Sequence, residues 1–436
     1  MQIRAAKGTR DILPSEAEAF RSVEGAARGL FALYGFREIR TPIFEPTELF
    51  HKSTGADTDI VGKEMYTFTD RAGRSLTLRP EGTPGVVRAA LEHGLLRAGD
   101  SDRLYYIGAM FRYEKPQKGR FRQFSQIGVE VLGSSHPATD AEVMEMALAL
   151  FGRLGIEDGV LQINSVGHPA ENECRGAYRR ALREAAEPLR DELCEDCRRR
   201  LDANPLRILD CKKPDGARIR DLAPPIQDYL CAPCAMHMAG VRECLGALGI
   251  RYDVNPRLVR GLDYYTRTTF EVASSELGAQ NALCGGGRYD LLVESMGGPA
   301  TPAFGFAIGT DRLVMVAQEM ARRAGRGELG HIGGPDLYIV HLGGAALQEG
   351  LAAARALRER GLAVRLDPDA RDIKKQMSRA SSLGARYALL LGERELERGA
   401  YGLKRLSDAV QREVPARAWD QIRAEIIDDD RRAHIV

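Results

Sequence analysis

Residues 123–131 read QFSQIGVEV. Side chains alternate faces along a strand, so Phe124, Gln126, Gly128 and Glu130 share one face. That face sets an aromatic, an amide, a gap and a carboxylate in line. A strand buried against a core does not carry Gln and Glu beside Phe unless both are satisfied, because each unpaired polar group costs on the order of a few kcal/mol. By itself the pattern also suits a solvent-facing strand, and its neighbours decide between the two. Upstream, RLYYIGAMFRYE (103–114) is a second extended run, joined to the first by the basic turn KPQKGRFR (115–122). The two runs predict a long antiparallel hairpin over 103–133.

Outward from the hairpin, residues 15–34 carry apolar side chains at helical spacing and stop at Gly35. FREIRTPIFEP (36–46) then alternates like an edge strand and breaks at Pro42 and Pro46. Beyond the hairpin a helix is expected over roughly 140–154 and a short strand at LQINSVG (161–167). An inserted helical stretch rich in Arg, Glu and Cys follows, over about 170–250. Strand patterning resumes at RGLDYYTRTTFEV, continues through CGGGRYD to AFGFAIG, and runs into the helical DRLVMVAQEM. The core sheet is thus split by the insertion. The Gly- and Arg-rich ARRAGRGELGHIGGPD (321–336) reads as a linker. After it DLYIVHL, a helix over 345–360, AVRLD, a helix over 371–384 and YALLLG alternate as βαβαβ, the pattern of a small parallel sheet covered by helices.

Composition bounds the class of protein. With 436 residues the chain exceeds one ordinary core. Its 44% apolar and 28% charged residues are those of a soluble globular enzyme, and a formal charge of +1 requires any nucleic-acid contact to be local. MQIRAAKGTRDILP lacks an apolar leader core, and no run is apolar enough to span a bilayer, so a cytoplasmic location without membrane contact is expected. Eight cysteines then read as thiols or metal ligands. Cys194/Cys197 and Cys231/Cys234 form two C-x-x-C pairs, with Cys211 and His237 as nearby substitutes. They fit either one tetrahedral zinc site or a set of buried thiols in a helical insertion.

Four further motifs surround the hairpin. FRYEKPQKGRFRQF (111–124) places Arg112 at a strand end and crowds Lys115, Lys118, Arg120 and Arg122 into the following loop; alone, such a loop is a solvated turn. TLRPEGT (77–83) sets Glu81, Gly82 and Thr83 together, and its plain reading is a capped turn. RGLDYYTRTTFE (260–271) places Arg260 ahead of Tyr264 and Tyr265. GFAIGTDRL (305–313) is a strand-to-helix step with Arg312 at the helix start, a natural phosphate site.

In this order the motifs resemble a known family. FRYEKPQKGRFRQF looks like motif 2 of class II aminoacyl-tRNA synthetases, GFAIGTDRL like motif 3 and EIRTPIFEP like motif 1, which in the family lies at a dimer interface. RGLDYYTRTTFE and LCGGGRYD resemble the signatures specific to histidyl-tRNA synthetases. The resemblance covers residues 1 to about 320, and the C-terminal segment is similar to the family's anticodon-binding domain. It implies an α+β catalytic domain over 1–325, built on a mixed, mainly antiparallel sheet with a helical insertion. A linker over 326–335 and an α/β anticodon-binding domain over 336–436 would follow. Three positions depart from the pattern: Ser125 where His is usual, Leu291 where Gly is common, and Asp311 in place of Glu.

The activity so implied is activation of L-histidine by ATP with Mg²⁺, then transfer to the 3′ end of tRNA(His) by a homodimeric enzyme. The resemblance assigns Glu81, Gly82, Thr83 and Gln126 to the amino-acid backbone end. It assigns Glu130, Tyr264 and Tyr265 to the imidazole. Arg112 and Arg260 go to the α-phosphate as catalytic groups, Arg120 to ATP, Arg312 to the γ-phosphate and Phe124 to adenine. Gln117 and Arg122 are set to meet the tRNA acceptor end. Lys374, Lys375, Arg379 and Arg386 suit either the anticodon arm or a solvated helix face. The rival reading is a regulatory paralogue, the synthetase-like subunit of ATP phosphoribosyltransferase, which typically lacks the anticodon domain.

Overall fold

The computed structural model describes residues 3–433 except 56–57, 97–100, 118, 170–172, 210, 212–218, 220, 275–281, 326–328, 331–332 and 370–371. The basic-loop residue Lys118 and part of the expected linker therefore lie outside the described residues. The chain divides into two units, Met1–Gly330 and His331–Val436.

The first unit is built on the hairpin. Strands β5 (Asp102–Phe111) and β6 (Gln123–Leu132) pair antiparallel from Asp102↔Leu132 to Phe111↔Gln123, as the alternation predicts. The expected strand FREIRTPIFEP is two short strands in different sheets. Arg37–Glu38 (β1) runs parallel to β5, while Phe44–Pro46 (β2) joins Tyr66–Thr69 (β3) and Ser75–Leu78 (β4) in a three-stranded antiparallel sheet. Arg79 ties the two sheets together: its Nε donates to Ala109 O at 2.8 Å, and its Nη1 to Thr41 O at 3.0 Å and Pro42 O at 3.4 Å. Gly108 makes room for this guanidinium, since a Cβ there would lie 2.3 Å from Nη2.

The large sheet is completed by β7 (Val160–Ser165), β8 (Asp253–Val254), β9 (Thr266–Ala273), β10 (Ala282–Arg288) and β11 (Ala303–Gly309). Their order is β1-β5-β6-β11-β10-β9-β7-β8, antiparallel except for the two outermost pairings. One face carries the core: Ile127, Val129 and Val131 of β6, Phe304 and Ile308 of β11, and Phe270 and Val272 of β9 are all essentially sequestered. Helices Pro14–Leu33, Pro137–Arg153 and Thr310–Arg323 cover it, with Val23, Phe31, Met144, Leu150 and Leu313 facing inward. The insertion, with helices Arg175–Ala186 and Glu195–Ala203, has its own small core around Tyr178, Leu182, Leu201, Ile208 and Ile226. Its last helix, Ala232–Ala247, returns to the main core through Met238, Val241 and Leu245.

A buried ionic cluster fastens this return. Arg288 is fully enclosed and donates from Nη2 to Asp140 Oδ1 at 2.7 Å and from Nε to Asp140 Oδ2 at 3.1 Å. Its Nη1 reaches Asp290 Oδ1 at 2.9 Å, and His237 Nε2 meets Asp140 Oδ2 at 2.9 Å. His237 is thereby committed to Asp140 and is no member of a cysteine site.

In the second unit the βαβαβ pattern extends into a mixed sheet. Leu337–His341 (β12), Val364–Leu366 (β13) and Tyr387–Leu391 (β14) are parallel, and the hairpin of Ala400–Arg405 (β15) and Gln411–Pro415 (β16) adds antiparallel to β14. Helices Gly344–Glu359 and Trp419–Ala433 pack on one face; Ile373–Ser382 packs on the other. Lys374, Lys375 and Arg379 are exposed on that last helix, whereas Arg386 is tied internally to Asp336 Oδ1 and Ile426 O.

Removing one partner of a buried charge pair leaves the other uncompensated, at about 3–5 kcal/mol. Arg288→Ala is therefore expected to destabilise the first unit by that amount, measured as a shift in its denaturant midpoint; a loss below about 1 kcal/mol would show that the cluster does not hold the sheet to the helices.

Candidate active site

The sheet face opposite the core is stripped nearly to backbone. Antiparallel register puts Gly108, Gln126 and Gly309 abreast, then Tyr106, Gly128 and Ala307, then Glu130 and Gly305. On the next strand Gly285 and Gly287 continue the bare floor opposite Ala307 and Gly305. Close approach requires these glycines. A Cβ on Gly128 or on Gly82 would lie 2.2 Å from Cζ of Tyr106, and one on Gly285 would lie 1.9 Å from Nη2 of Arg260. Over this floor is a cavity of about 180 Å³, lined by Glu81, Thr83, Arg112, Gln126, Glu130, Arg260, Tyr264 and Tyr265 among others. The structure thus gathers eight of the sequence-designated residues in one place.

Two carboxylates occupy it. Glu81, 4% exposed, accepts from Thr54 Oγ1 at 2.8 Å and from the Tyr264 hydroxyl at 2.7 Å. Glu130, 1% exposed, accepts from Thr83 Oγ1 at 2.6 Å and from the Tyr289 hydroxyl. Burial pushes the Glu130 carboxyl up to about 8, with the negative charge of Glu81 adding to the shift and the Thr83 and Tyr289 bonds opposing it. Burial raises Glu81 too, against its bond from Tyr264, the nearby Arg112 charge and its bond from Thr54. The Tyr265 phenol rises to about 12, again through burial. Tyr264 and Tyr265 have ring centroids 4.8 Å apart, and Tyr264 meets Tyr289 edge-on at 5.7 Å. The side-chain oxygen of Gln126 is enclosed and has no hydrogen-bond partner among the described residues. A buried acceptor left open beside two carboxylates suits a donor-rich cationic ligand.

Cationic groups line the other end. Arg112 donates from Nε to Pro80 O at 2.8 Å, and its guanidinium lies 5.5 Å from the Phe124 ring centroid. Arg260 pairs with Glu271 Oε2 at 2.5 Å. Phe124, Arg120 and Arg312 lie outside the cavity lining, towards the motif 2-like loop. There Arg120 pairs with Glu114, and Arg312 reaches Gly119 O and Ala282 O at 3.3 Å. Burial and the neighbouring Arg120 hold the Arg312 pKa below its ordinary value. Gln117 forms a tight bridge with Arg120, and Arg122 stacks 3.7 Å from the Tyr113 ring centroid.

Several lining residues escaped the sequence reading. Tyr106, Tyr289 and Glu271 lie in stretches read only as strand or signature, and Thr54, which bonds Glu81, had no motif at all. Register would have found Tyr106, which stands directly opposite Gly128. Two departures from the family pattern meet each other: the Ser125 backbone N–H donates to Asp311 Oδ2 at 3.0 Å, while Arg10 holds Asp311 Oδ1 at 2.9 Å. The two C-x-x-C pairs, read either as one tetrahedral site or as buried thiols, fall in two separate clusters. Cys231 and Cys234 gather with Cys174 and His168, and Cys194 and Cys197 gather with Cys211.

The profile described as histidyl-tRNA synthetase matches residues 8–313, and that described as anticodon binding domain matches residues 336–425. The two matches define the class of protein as an aminoacyl-tRNA ligase. Histidine–tRNA ligase of Trichlorobacter lovleyi is 48% identical over 414 residues, spanning 95% of this chain and 96% of the relative. That of Koribacter versatilis is 48% identical and spans 94% of each chain. The crystal structure of apo histidyl-tRNA synthetase from S. aureus superposes with a TM-score of 0.79 at 35% identity, covering 98% of this chain and 99% of that one. The chain belongs to the histidyl-tRNA synthetase family.

The raised carboxyl of Glu130 has a measurable consequence. Its folded-state pKa of about 8 exceeds the ordinary 4.5, so it favours the folded chain fully below 4.5 and loses that contribution as pH rises through 8. Between those values the stability of the wild type relative to Glu130→Gln is expected to fall by up to about 1.4 kcal/mol per pH unit. Thermal melts of both proteins across this range check it, and parallel pH profiles would show that Glu130 is ionised in the free protein.

Proposed function

We propose that the glycine-floored cavity binds L-histidine and the phosphate end of ATP side by side, forms histidyl-adenylate, and passes the histidyl group to the 3′ end of tRNA(His). The observation that carries this reading is the polarity of the cavity, with two buried carboxylates and phenols at one end and Arg112 and Arg260 at the other. Glu81, Thr83 and Gln126 take the amino-acid backbone end, where Gly82 permits close approach. The open Gln126 oxygen and the Glu81 carboxylate suit an α-ammonium. Glu130, Tyr264 and Tyr265 face the imidazole, which needs one acceptor and one donor for its two nitrogens. Tyr289, bonded to Glu130, joins this set. A site that hydrogen-bonds a polar side chain rejects analogues lacking it by roughly 10⁴-fold or more, so no editing site is required.

Neither chemical step needs a protein nucleophile. The histidine carboxylate attacks the α-phosphorus and pyrophosphate leaves; the ribose 3′-hydroxyl then takes the acyl group and AMP leaves. Arg112 and Arg260 stabilise charge developing on the α-phosphate oxygens, which fixed guanidinium forks do well. Phe124 stacks on adenine beneath Arg112, Arg120 serves ATP, and Arg312 meets the γ-phosphate. Glu271, bonded to Arg260 and close enough to act on the charge of Arg312, would help hold a Mg²⁺ ion beside the triphosphate. When bound, that ion neutralises triphosphate charge.

Gln117 and Arg122, on the loop beside Arg312, meet the acceptor end. The exposed Lys374, Lys375 and Arg379 face the anticodon arm, a role for which the internally bonded Arg386 is poorly placed. The match to an anticodon-binding domain favours the synthetase over the regulatory paralogue. The exposed apolar Ile43, Phe44 and Phe68 at the motif 1-like sheet support a homodimer. No described helix is long and apolar enough to cross a membrane, in keeping with a cytoplasmic enzyme.

Arg260→His replaces the five-donor guanidinium fork with an imidazole. Histidine-dependent ATP–pyrophosphate exchange is expected to fall by at least about 100-fold, the scale for loss of one preorganised donor to a developing anion. Exchange near the wild-type rate would place Arg260 outside the reaction.

A further inference from the structure

Between His168 and Cys234 the insertion builds its own core from fewer than about 70 residues, a size at which a hydrophobic core alone is marginal. Where it leaves and rejoins the sheet, four metal-binding side chains converge. His168 follows β7, Cys174 precedes helix Arg175–Ala186, and Cys231 and Cys234 open helix Ala232–Ala247. Their donor atoms all lie within 4.8 Å of one another. His168 Nδ1 is 3.4 Å from Cys234 Sγ and 3.6 Å from Cys231 Sγ. A tetrahedral zinc with Zn–N near 2.0 Å and Zn–S near 2.3 Å has an N···S edge of about 3.6 Å. No disulfide joins any of these thiols.

The surroundings are those of a ligated cluster. The backbone N–H of Cys231 donates to Cys174 Sγ at 3.1 Å, a bond that stabilises a thiolate. The far nitrogen of His168 lies 3.6 Å from Glu173 Oε1, the position of the carboxylate that commonly orients a metal-bound imidazole. Cys174 adopts φ of 49°, a conformation that non-glycine residues hold only where their surroundings impose it. Gly167, itself at φ of 63°, leaves space for it, since a Cβ there would lie 3.3 Å from Cys174 Sγ.

We infer that this protein binds a structural zinc ion through His168 Nδ1 and the thiolates of Cys174, Cys231 and Cys234, closing the insertion at its base. All four positions are filled by protein, so the site is closed to substrate and serves no catalytic step. Its reach extends to the pocket. Arg175, adjacent to Cys174, donates to the carbonyls of Val166 and Gly167 at 3.2 Å and to that of Tyr265. Fixing Cys174 thus fixes the guanidinium that holds the Tyr265 backbone, which makes the zinc a positioning element for a cavity wall.

The separate grouping of Cys194, Cys197 and Cys211 supplies an internal control. The full chain, purified without chelator and dialysed, is to be assayed for zinc by mass spectrometry alongside Cys234→Ser and Cys211→Ser. The expected result is one zinc equivalent per chain fewer in Cys234→Ser than in the wild type, with that equivalent retained in Cys211→Ser. In the unmutated protein, alkylation mapped by peptide should find Cys174, Cys231 and Cys234 protected until a strong chelator is added. Thiolate-to-cobalt charge-transfer absorption should appear when cobalt(II) replaces the zinc. A wild type free of zinc, an unchanged zinc content in Cys234→Ser, or alkylation rates indifferent to chelator would overturn the assignment.

Discussion

Two carboxylates enclosed in one cavity are the constraint around which the first unit is built. Glu81 and Glu130 are both withdrawn from water; burial raises the proton affinity of each, and the charge of Glu81 raises that of Glu130 further. Such a pair persists only where hydrogen bonds meet each oxygen, and here Thr54, Tyr264, Thr83 and Tyr289 do so. Those four residues come from four separate segments. The carboxylates therefore draw helix Thr47–Thr54, the start of helix Thr83–Glu92, the loop before β9 and the end of β10 to one point, and a shift in any of them would leave a buried oxygen unmet.

The sheet reconciles this polar face with a dry one by segregating them strictly. Ile127 and Val129 alternate with Gln126, Gly128 and Glu130, so the same strand seals the core and floors the pocket. The glycines opposite are the space that Tyr106, Arg79 and Arg260 fill. Rigidity is supplied from outside: Arg288 clamps sheet to helices, Arg79 clamps the small sheet to the large one, and the cysteine–histidine cluster closes the insertion whose arginine holds Tyr265. The Ser125–Asp311 contact fits the same scheme. It uses a backbone N–H, so the departure from the usual residue at 125 leaves the strand-to-helix step anchored.

Much of this was legible from residue order because alternation reports faces directly. Period-two patterning placed Gln126 and Glu130 together, predicted the hairpin, and located β9, β10 and β11. What alternation cannot report is which strand lies alongside which, so Tyr106 and Tyr289 were read as strand and signature while register makes them pocket walls. FREIRTPIFEP looked like one strand because Pro42 marks a break without saying that the two halves enter different sheets. The C-terminal hairpin of β15 and β16 carries charged residues at outward positions and left no clear apolar period. The cysteines show the same limit: adjacency in sequence joined each C-x-x-C pair correctly, yet only the folded chain shows that Cys174 and His168 complete one pair and Cys211 the other.

The central claim is that both buried carboxylates serve a single ligand, and calorimetric titration of L-histidine into the wild type, Glu81→Gln and Glu130→Gln tests it most directly. Replacing either carboxyl within an enclosed, hydrogen-bonded site removes a partner of the ligand and costs about 2–5 kcal/mol of binding, so each variant should bind histidine at least about 30-fold more weakly. Histidine affinity within about twofold of the wild type in either variant would contradict the account, because a carboxylate without a share in the ligand would leave the polarity of the cavity unexplained.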